Sequence, residues 1–413
     1  MLSVKNRQKK RRIWFAFLLL VIGVSVSVAV FSYLETGSPF PLDFIQSKII
    51  SQPTEVESDP QPKQISSNVL FLGNIFWGRY INDWSMASPL QYEYPFSRLN
   101  EFNRDQYDAW ISGLECPTVA SVNTTSAEQA QALQFNCSPN YLPEAAKWFT
   151  VVTLANNHTD NQGVEGFEET RQQLETNGIQ YFGHYDPTVL EDVCEVISLP
   201  VTVTKDDGSK IKGNLPVALC GYHGIFQIPP IGSVDEISKY SEYMPVIAMP
   251  HMGAEYVTGP DQIKTDFYRS LIDAGADMVI GDHPHVTQTS ESYEGHLIIY
   301  SMGNFIFDQQ VDADVTNSAA INLFMATSNS DSESIKSWLA LGETCKTFKD
   351  DCLAQAKEQN LTKLNITYQF SIIAANDNDK IAKPATDEQR AYVMGRLNWQ
   401  TTIDNLQAPY SGL

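Results

Sequence analysis

The stretch Met278-Val279-Ile280-Gly281-Asp282-His283-Pro284-His285 joins a short apolar run to two closely spaced histidines. An apolar run of this length that ends in glycine is typical of a buried β-strand. In an extended backbone, two imidazoles in an alternating pattern project from the same side. The stretch therefore predicts a central strand with polar side chains at its carboxyl end.

Several other parts of the chain repeat this pattern of short apolar runs and helical segments. Apolar runs occur at residues 69–73, 151–155, 246–249 and 297–300. Helical patterns lie at 164–177, before Gly178, and at 260–274, before Gly275. Strands that alternate with helices predict an α/β fold with a mixed sheet.

Polar residues cluster where the predicted strands end. They are Asn74, Asn156-Asn157-His158, His251, and the run Asp282-His283-Pro284-His285. Open α/β sheets place ligands at the carboxyl ends of their strands, so we expect these side chains to meet at one edge. Imidazole with amide or carboxylate oxygen suits Zn²⁺, Mn²⁺ or Fe²⁺ better than Ca²⁺ or Mg²⁺. The His-Pro-His pair alone is weak evidence for a metal site. The metal site is predicted because polar residues follow four separate strands.

The charge of the chain excludes one class of partner. The 413 residues carry a formal net charge of −21. A strongly acidic surface repels phosphates, which argues against a nucleic acid partner. An anionic ligand would need local positive charge, and a bound metal could supply it.

The amino-terminal segment predicts a membrane anchor. Residues 13–34 form an uncharged, apolar run long enough to span a bilayer, and the basic tail at 1–12 would stay in the cytoplasm. These features predict a single-pass protein of the cell membrane with its main domain outside the cytoplasm. A cleaved signal peptide with its site near Ser27-Val28-Ala29 is the alternative. Residues 35–68 are rich in Pro, Ser and Gln and predict a flexible linker.

Six cysteines indicate disulfide bonds in an oxidising compartment, because no pair has a Cys-x-x-Cys spacing. Proximity along the chain favours three bridges, Cys116–Cys137, Cys194–Cys220 and Cys345–Cys352. Six cysteines permit 15 pairings, and free buried thiols remain an alternative.

Four stretches resemble the motifs of the CapA family of capsule synthesis proteins, in the same order. They are Leu72-Gly73-Asn74 with Gly78-Arg79; Gly113-Leu114-Glu115; Leu154-Ala155-Asn156-Asn157-His158 with Asp160 and Gly163; and a long block that includes 250–256, 271–277, 281–285 and 300–305. The resemblance implies a CapA-like domain at 69–310, and we predict a peripheral extension at 311–413.

The family resembles metallophosphoesterases, which implies a four-layer α-β-β-α sandwich that binds divalent metal. By motif, Glu115 would be the carboxylate that bridges two metals. Asn157, His251 and His283 would complete the coordination of one metal, and His285 would bind the other. His158 would be the proton donor, and Arg79 is the candidate contact for an anionic substrate. The family has Asp where this chain has Asn74, so the metal served by Asn74, Glu115 and His285 would be held less well.

Two functions follow from this resemblance. In one, the protein is a metal-dependent hydrolase of the phosphoesterase type that acts in the synthesis or export of a surface polymer, such as poly-γ-glutamate or a polysaccharide. In the other, it is a non-catalytic polymer-binding accessory with a degenerate metal site. Other membrane proteins of capsule synthesis are the expected protein partners.

Overall fold

The computed structural model describes residues 59–328, 330–346 and 351–413 of the chain. Its strands are β1 (Pro62–Ile75), β2 (Ala109–Leu114), β3 (Val151–Thr153), β4 (Gln180–Phe182), β5 (Cys194–Lys205), β6 (Lys210–Gly224), β7 (Val246–Met252), β8 (Met278–Ile280), β9 (Ser290–Tyr293), β10 (His296–Ile299), β11 (Asn304–Ile306), β12 (Asn317–Ser318), β13 (Ile321–Thr327), β14 (Ile366–Ile372), β15 (Ala375–Asn376), β16 (Lys383–Pro384) and β17 (Tyr410–Gly412).

Helices lie between many of these strands. The α-helices are α1 (Arg79–Ala87), α2 (Ser126–Ala132), α3 (Leu142–Ala145), α4 (Gly163–Thr176), α5 (Asp235–Ser241), α6 (Gln262–Asp273), α7 (Ala313–Thr316), α8 (Ser332–Cys345), α9 (Cys352–Glu358), α10 (Asp387–Leu397) and α11 (Trp399–Asp404). Short 3₁₀ helices occur at Gln91–Phe96, Leu99–Phe102, Arg104–Gln106, Pro139–Tyr141, Leu190–Asp192 and Ile231–Ser233.

The long strand β1 organises the sheet. Its first part pairs antiparallel with β13 and β5, and its last part pairs parallel with β2 and β11. Within the described residues, 14 strands are joined in one sheet that branches at β1. One branch runs β17-β14-β13-β1-β5-β6-β7-β8-β10-β9, and the other leaves β1 as β2-β3-β4, while β11 also pairs with β1.

Alternate side chains of β1 enter two different cores. Val69 and Phe71 pack with the residues of β5 to β10, whereas Leu70 and Leu72 pack with β2, β3 and the aromatic side chains around them. Successive side chains of a strand point to opposite faces, so one strand can serve both cores. This arrangement brings the carboxyl ends of the strands in both branches to the same region.

The predicted strands and helices of the central region are confirmed, with shifts at their boundaries. Helix α6 begins after Asp261, whose side chain accepts a hydrogen bond from the backbone N–H of Lys264, and it ends before Gly275, which has a φ of +108°. Both features are common signals for helix ends.

The hairpin of β5 and β6 was not predicted, although it is the longest antiparallel pair in the described residues. Its strands meet from Cys194 opposite Cys220 to Thr204 opposite Lys210. The turn contains Gly208 with a φ of +82°, and an Asp-Gly pair is a common hairpin signal.

The predicted fold class and location need correction. The predicted helix at 13–34 lies outside the described residues, and no helix within them is long and apolar enough to cross a membrane. The longest among them, α4 and α8, have 14 residues, or about 21 Å against about 30 Å of hydrocarbon. The structure thus gives no support to the single-pass membrane location.

The predicted fold class is also corrected. The four-layer α-β-β-α sandwich with a preceding helix is replaced by a mixed α/β fold with one branched sheet, because β1 pairs in both branches.

The boundaries of the described unit also differ from the predicted ones. Pro60–Leu413 form one compact unit. Residues 62–68, predicted as linker, belong to β1. Residues after Val311, predicted as a peripheral extension, supply β13, which pairs with β1 over six register positions from Ser66 to Phe71.

The three predicted disulfides are confirmed. Cys116 pairs with Cys137, Cys194 with Cys220, and Cys345 with Cys352. No cysteine among the described residues is free. The Cys116–Cys137 bridge directly follows Glu115 in the chain, so it fixes the backbone beside a predicted metal ligand.

Candidate metal centre

The six predicted metal ligands lie at or just beyond strand carboxyl ends. They are Asn74 in β1, Glu115 after β2, Asn157 after β3, His251 in β7, and His283 and His285 after β8. β2 and β3 continue the parallel pairing of β1, and β8 pairs parallel with β7. All six side chains are buried, and contacts across the two branches bring them into two neighbouring groups.

The first group consists of Asn157, His251 and His283. His251 Nε2 lies 2.8 Å from Asn157 Oδ1 and 3.0 Å from His283 Nδ1. Two ligand atoms that each lie about 2.1 Å from one ion, with an angle of about 90° between their bonds to it, are about 3 Å apart. These two distances fit a shared divalent cation as well as hydrogen bonds.

The second group contains Glu115 and His285. His285 Nδ1 lies 2.9 Å from Asn304 Oδ1, while Asn304 Nδ2 donates to Gln309 Oε1. The amide oxygen can only accept, so the proton of the neutral ring is on Nδ1 and the lone pair of Nε2 faces Glu115 Oε1, 3.6 Å away. Metal-binding histidines are commonly oriented in this way.

Several buried polar atoms at this site have no hydrogen-bond partner within the described residues. They are both side-chain atoms of Asn74, Oε2 of Glu115 and both carboxylate oxygens of Asp282. An unsatisfied buried polar group costs about 1–3 kcal/mol, and more when it is charged. A cation bound among these oxygens would remove that cost.

Burial controls the protonation of the site. It raises the pKa of Glu115 well above the ordinary value, with a further rise from the charge of Asp282. Burial likewise raises the pKa of Asp282, and it lowers the pKa values of His251 and His283 well below the usual range. Without a cation, these surroundings therefore favour neutral forms of both acids and imidazoles.

The His-Pro-His segment has an unusual backbone. His283 has a φ of +93° and His285 a φ of +61°, so the predicted extended geometry is not observed there. Both rings still approach each other, with their centroids 5.9 Å apart. Left-handed conformations of residues other than glycine cost on the order of 1–3 kcal/mol and concentrate at functional sites.

The donors present fit a metal only if amides take part. No three His, Cys, Asp or Glu side chains in the described part of the chain are grouped closely enough to hold an ion by themselves. Asn157 completes the group of His251 and His283, and Asn74 lies beside that of Glu115 and His285. Imidazole with amide and carboxylate oxygen is compatible with Mn²⁺, Zn²⁺ or Fe²⁺.

His158, the predicted proton donor, is oriented by its neighbours. Its Nδ1 lies 2.9 Å from Asn161 Oδ1, which also accepts the backbone N–H of Phe135. The Phe135 ring stacks on the imidazole at 3.9 Å. Burial lowers the pKa of His158 to about 4. The neutral ring therefore carries its proton on Nδ1 and presents a lone pair at Nε2.

Arg79, the predicted contact for an anion, is engaged within the protein. Its Nε and Nη2 donate to the two oxygens of Asp308 at 2.9 and 2.6 Å. Three aromatic rings, those of Phe76, Phe135 and Phe307, surround the guanidinium carbon at 4.2–5.7 Å. Arg79 contributes positive potential near Glu115, but Asp308 occupies one edge of its guanidinium.

The sequence reasoning gave no role to three residues of the site, Asp282, Asn304 and His223. Asn304 lies in a quoted motif, and Asp282 precedes His283. His223 follows the apolar run at residues 217–219 and matches no motif. It lies opposite His251 in the β6–β7 register, its Nδ1 contacts the Tyr185 carbonyl oxygen, and its buried Nε2 has no partner in the described residues. Only the register of β6 and β7 would have revealed His223.

Comparison with known proteins connects this site to one family. Residues 68–197 and 233–309 match the model of the family described as bacterial capsule synthesis protein PGA_cap. The two segments include every predicted site residue. They leave out most of the β5–β6 hairpin and the loop that follows it.

Two curated relatives carry related names. The chain is 30% identical over 273 residues to the "PGA biosynthesis protein CapA" of Bacillus subtilis, covering 60% of this chain and 66% of that protein. It is 29% identical over 171 residues to the "Capsule biosynthesis protein CapA" of Bacillus anthracis, covering 39% of this chain and 41% of that protein. The matched region thus spans less than two thirds of either relative.

Proposed function

The chain belongs to the bacterial capsule synthesis protein family PGA_cap, and from this premise we propose that it acts in poly-γ-glutamate synthesis or export as a metal-dependent hydrolase. The polymer is suggested by the name of the Bacillus subtilis relative, a PGA biosynthesis protein. The bond to be hydrolysed would be of the phosphoester type, as the family's resemblance to metallophosphoesterases implies.

The observation that carries this proposal is the pair of facing donors, Glu115 Oε1 and His285 Nε2, 3.6 Å apart, beside the group of Asn157, His251 and His283. A divalent ion held there would supply positive charge that polarises a phosphoryl oxygen and acidifies water. The protein's own part is to hold these buried side chains in place. His158, the predicted proton donor, lies near this site, and its neutral ring would first accept a proton at Nε2 before it could donate one.

Two side chains orient imidazole rings of the site. Asn304 holds the ring of His285, and Asn161 holds that of His158. Arg79 adds positive potential for an anionic substrate while it remains paired with Asp308. Each of these contacts fixes a ring whose position would otherwise vary, which is a requirement for precise catalysis.

The test compares the full-length protein with His283→Ala, and uses His296→Ala as the matched control. His296 begins β10, and its Nδ1 contacts the carbonyl oxygen of Asp277 outside the site. Bound metal is measured by elemental analysis, and hydrolysis with bis-p-nitrophenyl phosphate. We expect His283→Ala to lose both metal and activity by more than about tenfold and His296→Ala to keep both. Wild-type protein without metal above background would contradict the proposal.

The second candidate function is that of a polymer-binding accessory without catalysis. Asn74 favours it, because an amide replaces the carboxylate at this position in the family motif and lacks its charge. The two functions differ in cells. An accessory would support polymer production after His283→Ala, whereas a hydrolase would not.

A further inference from the structure

Tyr256 lies in the loop after β7, beside the candidate metal centre. Its ring stacks on that of His285, with the centroids 5.6 Å apart and an angle of 25° between the two planes. Its backbone N–H donates to the carbonyl oxygen of Pro284 at 2.8 Å. Even so, the residue is 49% exposed. Tyr256 is therefore held against the site while part of its surface stays open to a ligand.

The backbone of Tyr256 is strained. Its φ is +57°, in the left-handed region, which costs a residue other than glycine on the order of 1–3 kcal/mol and is concentrated at functional sites. The loop is fixed by Gln288, whose Nε2 donates to the carbonyl oxygens of Val257 and Gly259. Gln288 is held in turn by the buried Lys264, whose Nζ donates to Gln288 Oε1 at 2.9 Å. The surrounding structure thus maintains the strained position of Tyr256.

A chain of hydrogen bonds sets the direction of the Tyr256 hydroxyl. His285 Nδ1 donates to Asn304 Oδ1, and Asn304 Nδ2 donates to Gln309 Oε1 at 3.2 Å. Because the Gln309 oxygen is used as an acceptor, its Nε2 faces the phenol and donates to the Tyr256 oxygen at 2.7 Å. A tyrosine hydroxyl also has one hydrogen to donate. Within the described residues, that hydrogen has no acceptor.

An anionic substrate needs a hydrogen-bond donor, and the neighbouring side chains are poorly suited to supply one. The guanidinium of Arg79 is paired with Asp308 and lies against aromatic rings. Glu255, the exposed residue before Tyr256, can only accept hydrogen bonds when it is ionised. His158 in its neutral form presents a lone pair at Nε2. The unused hydrogen of the Tyr256 hydroxyl is therefore suited to an anionic oxygen.

We propose that Tyr256 is a substrate-binding residue whose hydroxyl donates a hydrogen bond to a phosphoryl oxygen of the phosphoester. The inference rests on the proposed function for the identity of the substrate. In the competing role, the hydroxyl only orients His285 through Gln309 and Asn304, and its hydrogen is bound to solvent. A hydrogen bond to a charged oxygen is stronger than one between neutral groups, so the two roles differ measurably.

The experiment uses the full-length protein with inorganic phosphate and bis-p-nitrophenyl phosphate as probes, and glutarate as a carboxylate probe. Tyr256→Phe removes the hydroxyl and keeps the ring on His285. We expect it to weaken phosphate binding, measured by titration calorimetry, and to raise KM for bis-p-nitrophenyl phosphate by about tenfold or more. The values of kcat, Mn²⁺ affinity and the thermal transition should stay unchanged, because the contact is present before and during the reaction.

Tyr392→Phe is the matched control. Tyr392 lies in α10, is 42% exposed, and its hydroxyl contacts Asp314, outside the candidate site. This variant removes the same atom from a tyrosine of similar exposure. It should therefore retain phosphate affinity, KM and Mn²⁺ affinity.

Gln309→Glu tests the direction of the hydrogen-bond chain while it leaves the hydroxyl in place. A carboxylate at position 309 would accept the hydroxyl hydrogen of Tyr256 and withhold it from the ligand, so we expect weaker phosphate binding. The double variant with Tyr256→Phe separates this effect from repulsion by the added charge. If the hydroxyl is responsible, Gln309→Glu causes little further loss in the Tyr256→Phe background. A full further loss would contradict the proposed direction.

Unchanged phosphate affinity and KM in Tyr256→Phe, with normal hydrolysis by the wild type, would overturn the inference and leave the proposed function intact. A loss of Mn²⁺ affinity that accounts for the loss of activity would also overturn it, because the hydroxyl would then act through His285. Weaker binding of glutarate with unchanged binding of phosphate would assign the hydroxyl to a carboxylate and overturn the phosphoryl contact. A wild type that binds neither Mn²⁺ nor phosphate would remove the proposed function and the inference together.

Discussion

Asn304 has a larger effect on the site than its distance from the chemistry suggests. Its side-chain oxygen contacts His285 Nδ1, and its amide donates to Gln309. Because Gln309 Nε2 donates to the Tyr256 hydroxyl and the Tyr256 ring stacks on His285, the chain of contacts closes on the same imidazole. One residue thereby sets both the tautomer and the direction of a predicted ligand.

We therefore predict that Asn304→Leu weakens metal binding by about 10- to 100-fold, because the His285 ring loses the acceptor that orients it. Asn304→Asp keeps an acceptor at the same place and should retain most of the affinity. Calorimetric titration with Mn²⁺ measures both. Equal losses in the two variants would show that the volume or charge of the side chain matters and the acceptor does not.

Arg79 offers a contrast, because its contacts indicate a structural contribution. The guanidinium is bidentate to a carboxylate that is itself almost fully buried. Removing one partner of a buried ion pair leaves the other charge uncompensated. The same residue could still influence an anion through its charge.

We predict that Arg79→Met lowers the free energy of unfolding by about 3 kcal/mol, measured by urea denaturation. The double variant Arg79→Met with Asp308→Asn should recover part of this loss, because no buried charge is left unpaired. If the double variant is as unstable as the single one, the packing of the aromatic rings around Arg79 dominates and the ion pair does not.

The residues of the site were predictable to the extent that they depend on strand ends. Asn157, His251 and His283 follow apolar runs, and they meet as predicted. Asp282 was predicted among the polar residues at the strand ends but was given no role, and its approach to Gly113, on a strand about 170 positions earlier in the chain, was not predicted. A contact of that kind has no local signal.

At the level of elements, the Cys116–Cys137 disulfide connects the segment that carries Glu115 with the segment that carries Phe135. Cys116 follows Glu115, and Cys137 lies two residues after Phe135, whose ring stacks on His158 and covers Arg79. The Cys345–Cys352 bridge joins α8 to α9, away from these residues. The two bridges therefore allow local and general effects to be compared.

Replacing Cys116 and Cys137 by alanine should lower both stability and metal affinity. Loop-closure entropy for a separation of 21 residues corresponds to about 3 kcal/mol, and freedom at Glu115 should weaken the metal site. The Cys345–Cys352 disulfide closes a loop of only 7 residues. The matched double variant Cys345→Ala with Cys352→Ala should therefore lose about 2 kcal/mol of stability, with unchanged Mn²⁺ binding. Equal effects on Mn²⁺ binding would show that the first bridge has no special link to the site.

The elements that the sequence did not reveal are those whose partners lie far away in the chain. β13 is surrounded by polar residues and resembles a peripheral tail when considered alone, yet Ile321, Leu323 and Met325 enter the core beside β1. The β5–β6 hairpin has a local turn signal that was overlooked. The central strands were predictable because their apolar runs are fully buried and need no partner to be recognised.

At the scale of the whole molecule, β1 gives the two branches of the sheet a common strand. It receives β13 from a point more than 240 residues later in the chain, so the amino-terminal and carboxyl-terminal parts of the described unit stabilise each other. The site lies where the branches meet, and its ligands come from both. Metal binding should consequently depend on strands that contribute no ligand.

A protein that ends at Gln310 tests this dependence, because it keeps every candidate ligand but lacks β13 and β14. The buried side chains of β13 alone should each contribute about 1.5–3 kcal/mol, against a total stability of about 5–15 kcal/mol for a typical domain. We expect this truncated protein to lack a cooperative thermal transition and to bind no Mn²⁺. The control ends at Pro409 and lacks only β17, which pairs with β14 at the edge of the sheet at three positions, so it should unfold cooperatively at a lower temperature and keep its metal. A folded, metal-binding protein that ends at Gln310 would mean that the branches can assemble around β1 without its antiparallel partner.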